Sequence, residues 1–417
     1  MEVPSVPEVP QVLVVNSGWL AVKWPYFAER LRDGLRAHDL RARWITLRAG
    51  QRLRDLPGIS EIPALVVLDV EPDPEDIAAC AGLVVVAGMT GRDGLAVAGE
   101  LAERGIPFVD GSIRGRSTSQ AELVMALMVC ALRWLPQWHT SMISRQYTWP
   151  PQHWASADHS RYVNGTVRGK TVVIFGLDLV GQKVAELCRA YGAQVSVVEP
   201  LADDGLIAEV GAQRISAEQV ASVADIVVVA GDPATPKLTQ VLIDQLRGGV
   251  VVVTITGTGT GGVDVPALRR RVLDDDLFWA TDCYAEPGQP TDPIVGRDNA
   301  IHLPGIAGRT HDANTAAADV IVANLARVLR GAEPLPWDCV APKLLEDVPD
   351  SPDRAPALAG ASPAPVTGPT AAESETPDSE STDSRSRTTG LSDPSLTSLL
   401  TSCDDTTSPA GCASTTN

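Results

Sequence analysis

Positive charge is in short supply. The 417 residues include 34 Lys and Arg against 52 Asp and Glu, a net charge of −18. Such a surface repels phosphate backbones and anionic lipid, so neither nucleic acid nor membrane is an expected partner. Cysteine is sparse: the seven residues, at 80, 130, 188, 283, 339, 403 and 412, form no C-x-x-C pair and no close, even spacing. This excludes a disulfide scaffold and points to reduced thiols. Long apolar runs are lacking too. The longest, Ala121 to Leu135, is interrupted by Glu122 and Arg133 and falls short of the ~20 residues that a membrane span requires. It reads as a buried or interface helix. Met1 to Pro10 has neither the basic nor the apolar region of a signal peptide, so a cytoplasmic location is expected. Finally, aromatic residues are absent from 346 to 417, where 12 Asp or Glu and 3 Arg sit among Ser, Thr, Pro and Ala. That composition cannot bury enough apolar area to offset chain entropy, and it predicts a disordered acidic Ser/Thr/Pro-rich tail after about 345 folded residues.

What is present is an alternating pattern. Short Val- and Leu-rich runs at 12–15, 65–68, 83–86, 171–175, 195–198, 226–229 and 250–254 are separated by helical patterns at 26–37, 95–104, 179–191 and 314–329. Continuous apolar runs bounded by Gly, Pro or charge are the mark of parallel strands covered on both faces, joined by crossover helices.

One of these strands runs into a glycine-bearing turn and then a helix: Gly169-Lys-Thr-Val-Val-Ile-Phe-Gly176-Leu-Asp178-Leu179-Val180-Gly181. In a dinucleotide fold the first glycine makes the tight turn, the second admits the pyrophosphate, and the third lets helix pack on strand. An acid roughly 20 residues on bonds the ribose. Gly176 and Gly181 occupy the outer positions, and Glu199, followed by Pro200, ends the next strand and favours NAD over NADP. The middle position is Asp178. Its carboxylate either opposes a pyrophosphate or caps the helix, satisfying the amides that otherwise bind phosphate.

Across about residues 60–335 the sequence resembles the D-isomer-specific 2-hydroxyacid dehydrogenase family. The segments that carry the resemblance are Ala98 to Val109, Gly115 to Pro136, Gly169 to Pro200, Ala224 to Pro236 including Pro233, Asp282 to Pro287, and Asn299 to Gly308. It implies an α/β fold: a Rossmann-type doubly wound parallel sheet over 115–305, and a split flavodoxin-like substrate domain formed by 1–114 and completed by 306–335. It also implies NAD as cofactor, a small 2-oxo or 2-hydroxy acid as substrate, and a homodimer formed through helix 121–135. The family's chemistry needs an Arg to clamp the substrate, a His to carry the proton and a Glu to hold the His. Glu286 matches the acid. The Arg position falls at Gly257 or Gly259, and the His position, directly after Pro304, is Gly305. His302, Arg309 and His311 stand nearby as substitutes. Gly88-Met-Thr-Gly91-Arg-Asp93 resembles a carboxylate-binding loop of the substrate domain.

Three functions follow: an NAD-dependent oxidoreductase with altered or lost catalysis; a non-catalytic Rossmann scaffold or sensor, suggested by Asp178 and Gly305; and a carrier of a modified peptide. The last rests on Ser395-x-x-Ser398-x4-Cys403, which resembles a class III lanthipeptide core and, with Cys412, would make the tail the substrate of a peptide-modifying enzyme.

Overall fold

The computed structural model describes residues 11–90, 95–144, 165–230, 237–255, 262–282 and 293–340. Outside them lie Pro233, Gly257, Gly259 and Glu286, the end of the 88–93 loop, and the whole tail with Cys403 and Cys412.

Five strands, β1 (Val12–Asn16), β2 (Ala42–Thr46), β3 (Ala64–Leu68), β4 (Val85–Gly88) and β5 (Phe108–Asp110), make one parallel sheet in the order β2-β1-β3-β4-β5. This is the flavodoxin-like order. Seven more, β6 (Thr171–Phe175), β7 (Gln194–Val198), β8 (Gln213–Arg214), β9 (Ile226–Val229), β10 (Val251–Thr254), β11 (Phe278–Thr281) and β12 (Ala300–His302), make a second parallel sheet in the order β12-β11-β10-β9-β6-β7-β8. The chain reverses direction across this sheet between β6 and β9, the topological switch point of a Rossmann-type fold, where ligands bind beyond the strands' carboxyl ends.

The central strands are buried on both faces, as their unbroken Val and Ile content predicts: β1, β3, β4, β9 and β10 are buried at every position. The half-exposed edge strand β2, Ala-Arg-Trp-Ile-Thr, has no such signal and is invisible to an apolar-run reading.

The long helix differs from expectation. The apolar run predicts a helix over 121–135; the helix observed is Gly111–Arg133, capped by the Asp110 side chain, which accepts from Ser112 N. The extra turns are polar and small because they face another helix at close range. A Cβ on Gly111 would lie 2.5 Å from the Ala317 carbonyl oxygen, and one on Gly115 2.6 Å from the Ala317 backbone. The partner is the helix His311–Val328, whose Ala317, Ile321 and Leu325 join the same core as Val12, Phe27 and Leu31. A chain segment that follows the second sheet thus completes the packing of the first. Trp134, at φ +53°, ends the long helix, and a new helix, Leu135–Ile143, begins with Pro136 in its first turn. The apolar residues of 121–135, among them Val124, Met128 and Ala131, pack inside this chain's own core with Val172 and Val184. Leu135, Met142 and Ile143 are exposed. Among the described residues no helix is long and apolar enough to cross a membrane.

Candidate active site

The turn after β6 is built from the residues that the motif singles out. Gly176 has φ +89°, a conformation that costs an L side chain roughly 1–2 kcal/mol. A Cβ on Gly181 would lie 2.5 Å from the Gly176 carbonyl oxygen, so the helix Leu179–Ala190 approaches the turn closely only because residue 181 has no side chain. Asp178 is the N-cap of that helix. Its Oδ1 accepts from Val180 N at 3.0 Å and from Gly181 N at 2.9 Å. Gln182 Nε2 donates to the Leu177 carbonyl and braces the turn. The capping role fits the side-chain chemistry of aspartate at this position, and it places a carboxylate on two of the amides that the end of a helix offers to an anion. Leu179 is half-buried and Val180 buried. Glu199 follows β7, half-buried, and its Oε1 accepts from Leu201 N at 3.3 Å; Pro200 beside it is exposed. In backbone and in the Glu199 position the turn fits an adenine dinucleotide. One charge, Asp178, is set against the pyrophosphate.

The second half of the site gathers where the carboxyl ends of the two sheets meet the long helix. Asp110, fully buried at the end of β5, accepts from Thr90 N and Oγ1 and from Ser112 N and Oγ, at 2.6–3.2 Å. Asp282, 2% exposed just past β11, accepts from Ile306 N at 2.8 Å and Ala307 N at 2.7 Å. These two bonds fix the loop after β12, and Ser119 Oγ ties the same loop to the long helix through the Ala307 carbonyl at 2.6 Å. Asp110 and Asp282 are the organising carboxylates that motif reading misses; the only sequence signal is an Asp placed directly after a short apolar strand. Beneath them, Trp279 Nε1 donates to Thr254 Oγ1 at 3.0 Å, and the hydroxyls of Thr254 and Thr281 bond at 2.9 Å. This network anchors the carboxyl ends of β10 and β11, from which the runs holding Gly257, Gly259 and Glu286 depart.

Gly305 lies in the fixed loop with φ +72°, its N–H bonded to the Asp282 carbonyl. The substitutes are less well placed than their proximity in sequence suggests. His302 ends β12 with Nε2 3.3 Å from the Ile294 carbonyl oxygen. Arg309 is exposed, and His311 opens the last long helix with its ring 3.8 Å from that of Tyr26. Arg116, given no role by the sequence reading, lies along Gly308, where a Cβ would come within 2.8 Å of the arginine Cδ. Among the described residues no group of three His, Cys, Asp or Glu side chains forms a metal site.

Comparison with known proteins agrees with this architecture. A family model described as D-isomer specific 2-hydroxyacid dehydrogenase, NAD binding domain, matches residues 125–307. D-3-phosphoglycerate dehydrogenase of Rattus norvegicus is 26% identical over 278 residues, 66% of this chain and 50% of that protein. The enzyme of the same name from Archaeoglobus fulgidus is 26% identical over 318 residues, 73% of this chain and 56% of that one. The chain spans about half the length of the curated relatives it matches. Among solved structures, a phosphoglycerate oxidoreductase from Rhizobium etli superposes with a TM-score of 0.66 at 16% identity, over 81% of this chain and all of that one. A D-lactate dehydrogenase from Treponema pallidum gives 0.60 at 19% identity, over 79% of this chain and 99% of that one. These likenesses show the fold. The family match falls on the sheet that carries Gly176, Gly181 and Glu199, so the second sheet of this chain is similar to the NAD binding domain of the D-isomer specific 2-hydroxyacid dehydrogenases.

Proposed function

We propose that the chain is an NAD-binding oxidoreductase of the D-2-hydroxyacid dehydrogenase type, acting on a small 2-oxo or 2-hydroxy acid with altered or lost catalysis. The observation that carries this reading is the turn Gly176 to Gly181 at the switch point of the second sheet, with Glu199 at the end of the neighbouring strand. In this reading residues 1–114 with 306–335 hold the acid, residues 115–305 hold the nucleotide, and the protein is a homodimer.

The bound nicotinamide would supply or accept a hydride. The chain's own residues must then orient the acid, exclude water and handle one proton. Asp282 and Ser119 hold the loop after β12 against the long helix, and Glu286 is assigned to the proton-handling side by resemblance alone. Gly305 supplies no acid or base, and loss of a positioned acid–base group forfeits typically 10²–10⁴ in rate. Turnover is therefore expected to be slow, with nucleotide binding intact but weakened by Asp178.

Titration of NADH fluorescence, followed by assay of NADH oxidation with glyoxylate and pyruvate, tests the reading. Saturable binding with slow, acid-dependent oxidation is expected; no NADH binding at any salt concentration refutes it. A non-catalytic scaffold or sensor is the second reading, favoured by the Asp178 cap and by the backbone of Gly305. Binding of NADH without turnover of any 2-oxo acid would select it.

A further inference from the structure

Among the described residues, the guanidinium of Arg116 has no ion-pair partner. Arg116 is the sixth residue of the long helix, and its Nε is shielded from solvent without a hydrogen-bond partner. The contrast with its neighbour is informative. Arg114, two residues earlier, grips the fully buried Asp338 with Nε and Nη2, both at 2.8 Å. Arg54 and Arg271 are likewise paired, with Asp73 and Asp276. Other arginines are held by backbone carbonyls, as Arg104 is by those of Ile77 and Cys80.

The charged neighbours of Arg116 are the carboxylate of Asp110 and, more weakly, the guanidinium of Arg309. Burial pushes its pKa down; Asp110 partly opposes this, and the charge of Arg309 adds to it. Asp110 is already committed to four donors from Thr90 and Ser112. An arginine keeps its proton under these conditions, so the half-buried group is a cation with its Nε shielded and unbonded, and a carboxylate arriving at it would meet a charge that no ion pair of the described residues occupies. Gly308 makes room for the arginine stem. The loop carrying that glycine is the one that Asp282 and Ser119 hold in place. The guanidinium thus belongs to the junction of the long helix, the end of β5 and the loop after β12, beyond the carboxyl ends of both sheets.

We propose that Arg116 is the residue that binds the substrate carboxylate in this chain, its planar fork taking the role for which the run 254–264 offers no arginine. A guanidinium suits a planar 2-oxo carboxylate because it presents parallel donors to both oxygens. The proposal rests on the oxidoreductase reading above for the identity of the anion as a small 2-oxo acid, and on the geometry of Arg116 for the existence of the site.

The test uses oxamate, an unreactive analogue of a 2-oxo acid, with the full chain at low salt. Calorimetry and thermal melting are expected to show oxamate binding to the wild type. Binding should be roughly 30-fold or more weaker in Arg116→Gln, because one partner of a desolvated charge pair is removed. Arg116→Lys should recover part of it, and Arg309→Gln should change it by less than about 3-fold, as befits an exposed charge. Without oxamate, Arg116→Gln and Arg116→Met should melt no lower than wild type, since the Nε of the half-buried arginine makes no hydrogen bond for them to forfeit. Equal oxamate affinity in wild type and Arg116→Gln, absence of binding to wild type at tens of millimolar, or a large fall in the melting point of both neutral variants would overturn the proposal. NADH titrated into the same samples separates the two readings. NADH binding without an oxamate effect removes the role of Arg116 alone, whereas oxamate binding without NADH removes the nucleotide reading alone.

Discussion

Replacing Asp178 by asparagine isolates the one charge that the dinucleotide turn sets against its ligand. The side-chain oxygen that accepts from Val180 N and Gly181 N at 3.0 and 2.9 Å has an isosteric counterpart in asparagine, itself among the best N-caps. Fold stability should therefore change by less than about 0.5 kcal/mol. The electrostatic effect is larger. A carboxylate about 5 Å from a phosphate charge, at an effective dielectric of about 20, is repelled by about 3 kcal/mol. Screening at the half-buried turn reduces this, leaving an expected gain of about 1.4–2.8 kcal/mol, or 10- to 100-fold tighter NADH. Asp178→Gly should gain further, since both amides are then freed, and should lose only a few tenths of a kcal/mol of helix stability. NADH fluorescence titrations at about 0.02 and 0.5 M salt provide the check, and the gain should shrink at high salt because it is Coulombic. If Asp178→Asn binds NADH within twofold of wild type at low salt, the charge does not face the nucleotide and the reasoning fails.

Other perturbations follow from the same geometry. Gly305→His should not restore a fast reaction: at φ +72° the new side chain strains the loop by about 1–3 kcal/mol, and a lower melting point without a gain in NADH oxidation is expected. Asp282→Ala strips the acceptor from one buried and one part-buried amide and should cost about 2–4 kcal/mol by urea unfolding; a loss below 1 kcal/mol would show that the loop holds itself. Gly115→Leu, aimed at the Ala317 backbone 2.6 Å from its Cβ, should destabilise by about 3 kcal/mol or prevent folding. Cys188, whose thiol burial pushes up to about 12, should resist alkylation at pH 8 until the chain unfolds. Since its folded pKa lies above the unfolded value, its contribution is full below about 9 and is lost as pH rises from there toward 12. Cys188→Ala should flatten that decline in stability between pH 9 and 10.5.

Much of this was legible in the residues themselves. Strands β6 and β9 begin and end where their Val and Ile runs do, and the Asp178 cap was one of two readings open to a carboxylate at that turn. The alternation of apolar runs and helical patterns indicated an α/β protein, because strand burial and side-chain period are local properties written in composition and spacing. Local information fails where the cause lies far away in sequence. The long helix begins ten residues before its apolar run because Gly111 and Gly115 meet Ala317, some two hundred residues on. Asp110 and Asp282 matter because they reach donors distant in the chain, Thr90 for the first and the loop at Ile306 and Ala307 for the second, which a single Asp after a short apolar strand does not reveal. His302 and Arg309 seemed replacements by proximity, yet one bonds the Ile294 carbonyl and the other is exposed. Only the packing of the long helix against the loop after β12 shields the Arg116 Nε without giving it a partner, because desolvation belongs to the three-dimensional surroundings of a charge and has no trace in its sequence neighbours.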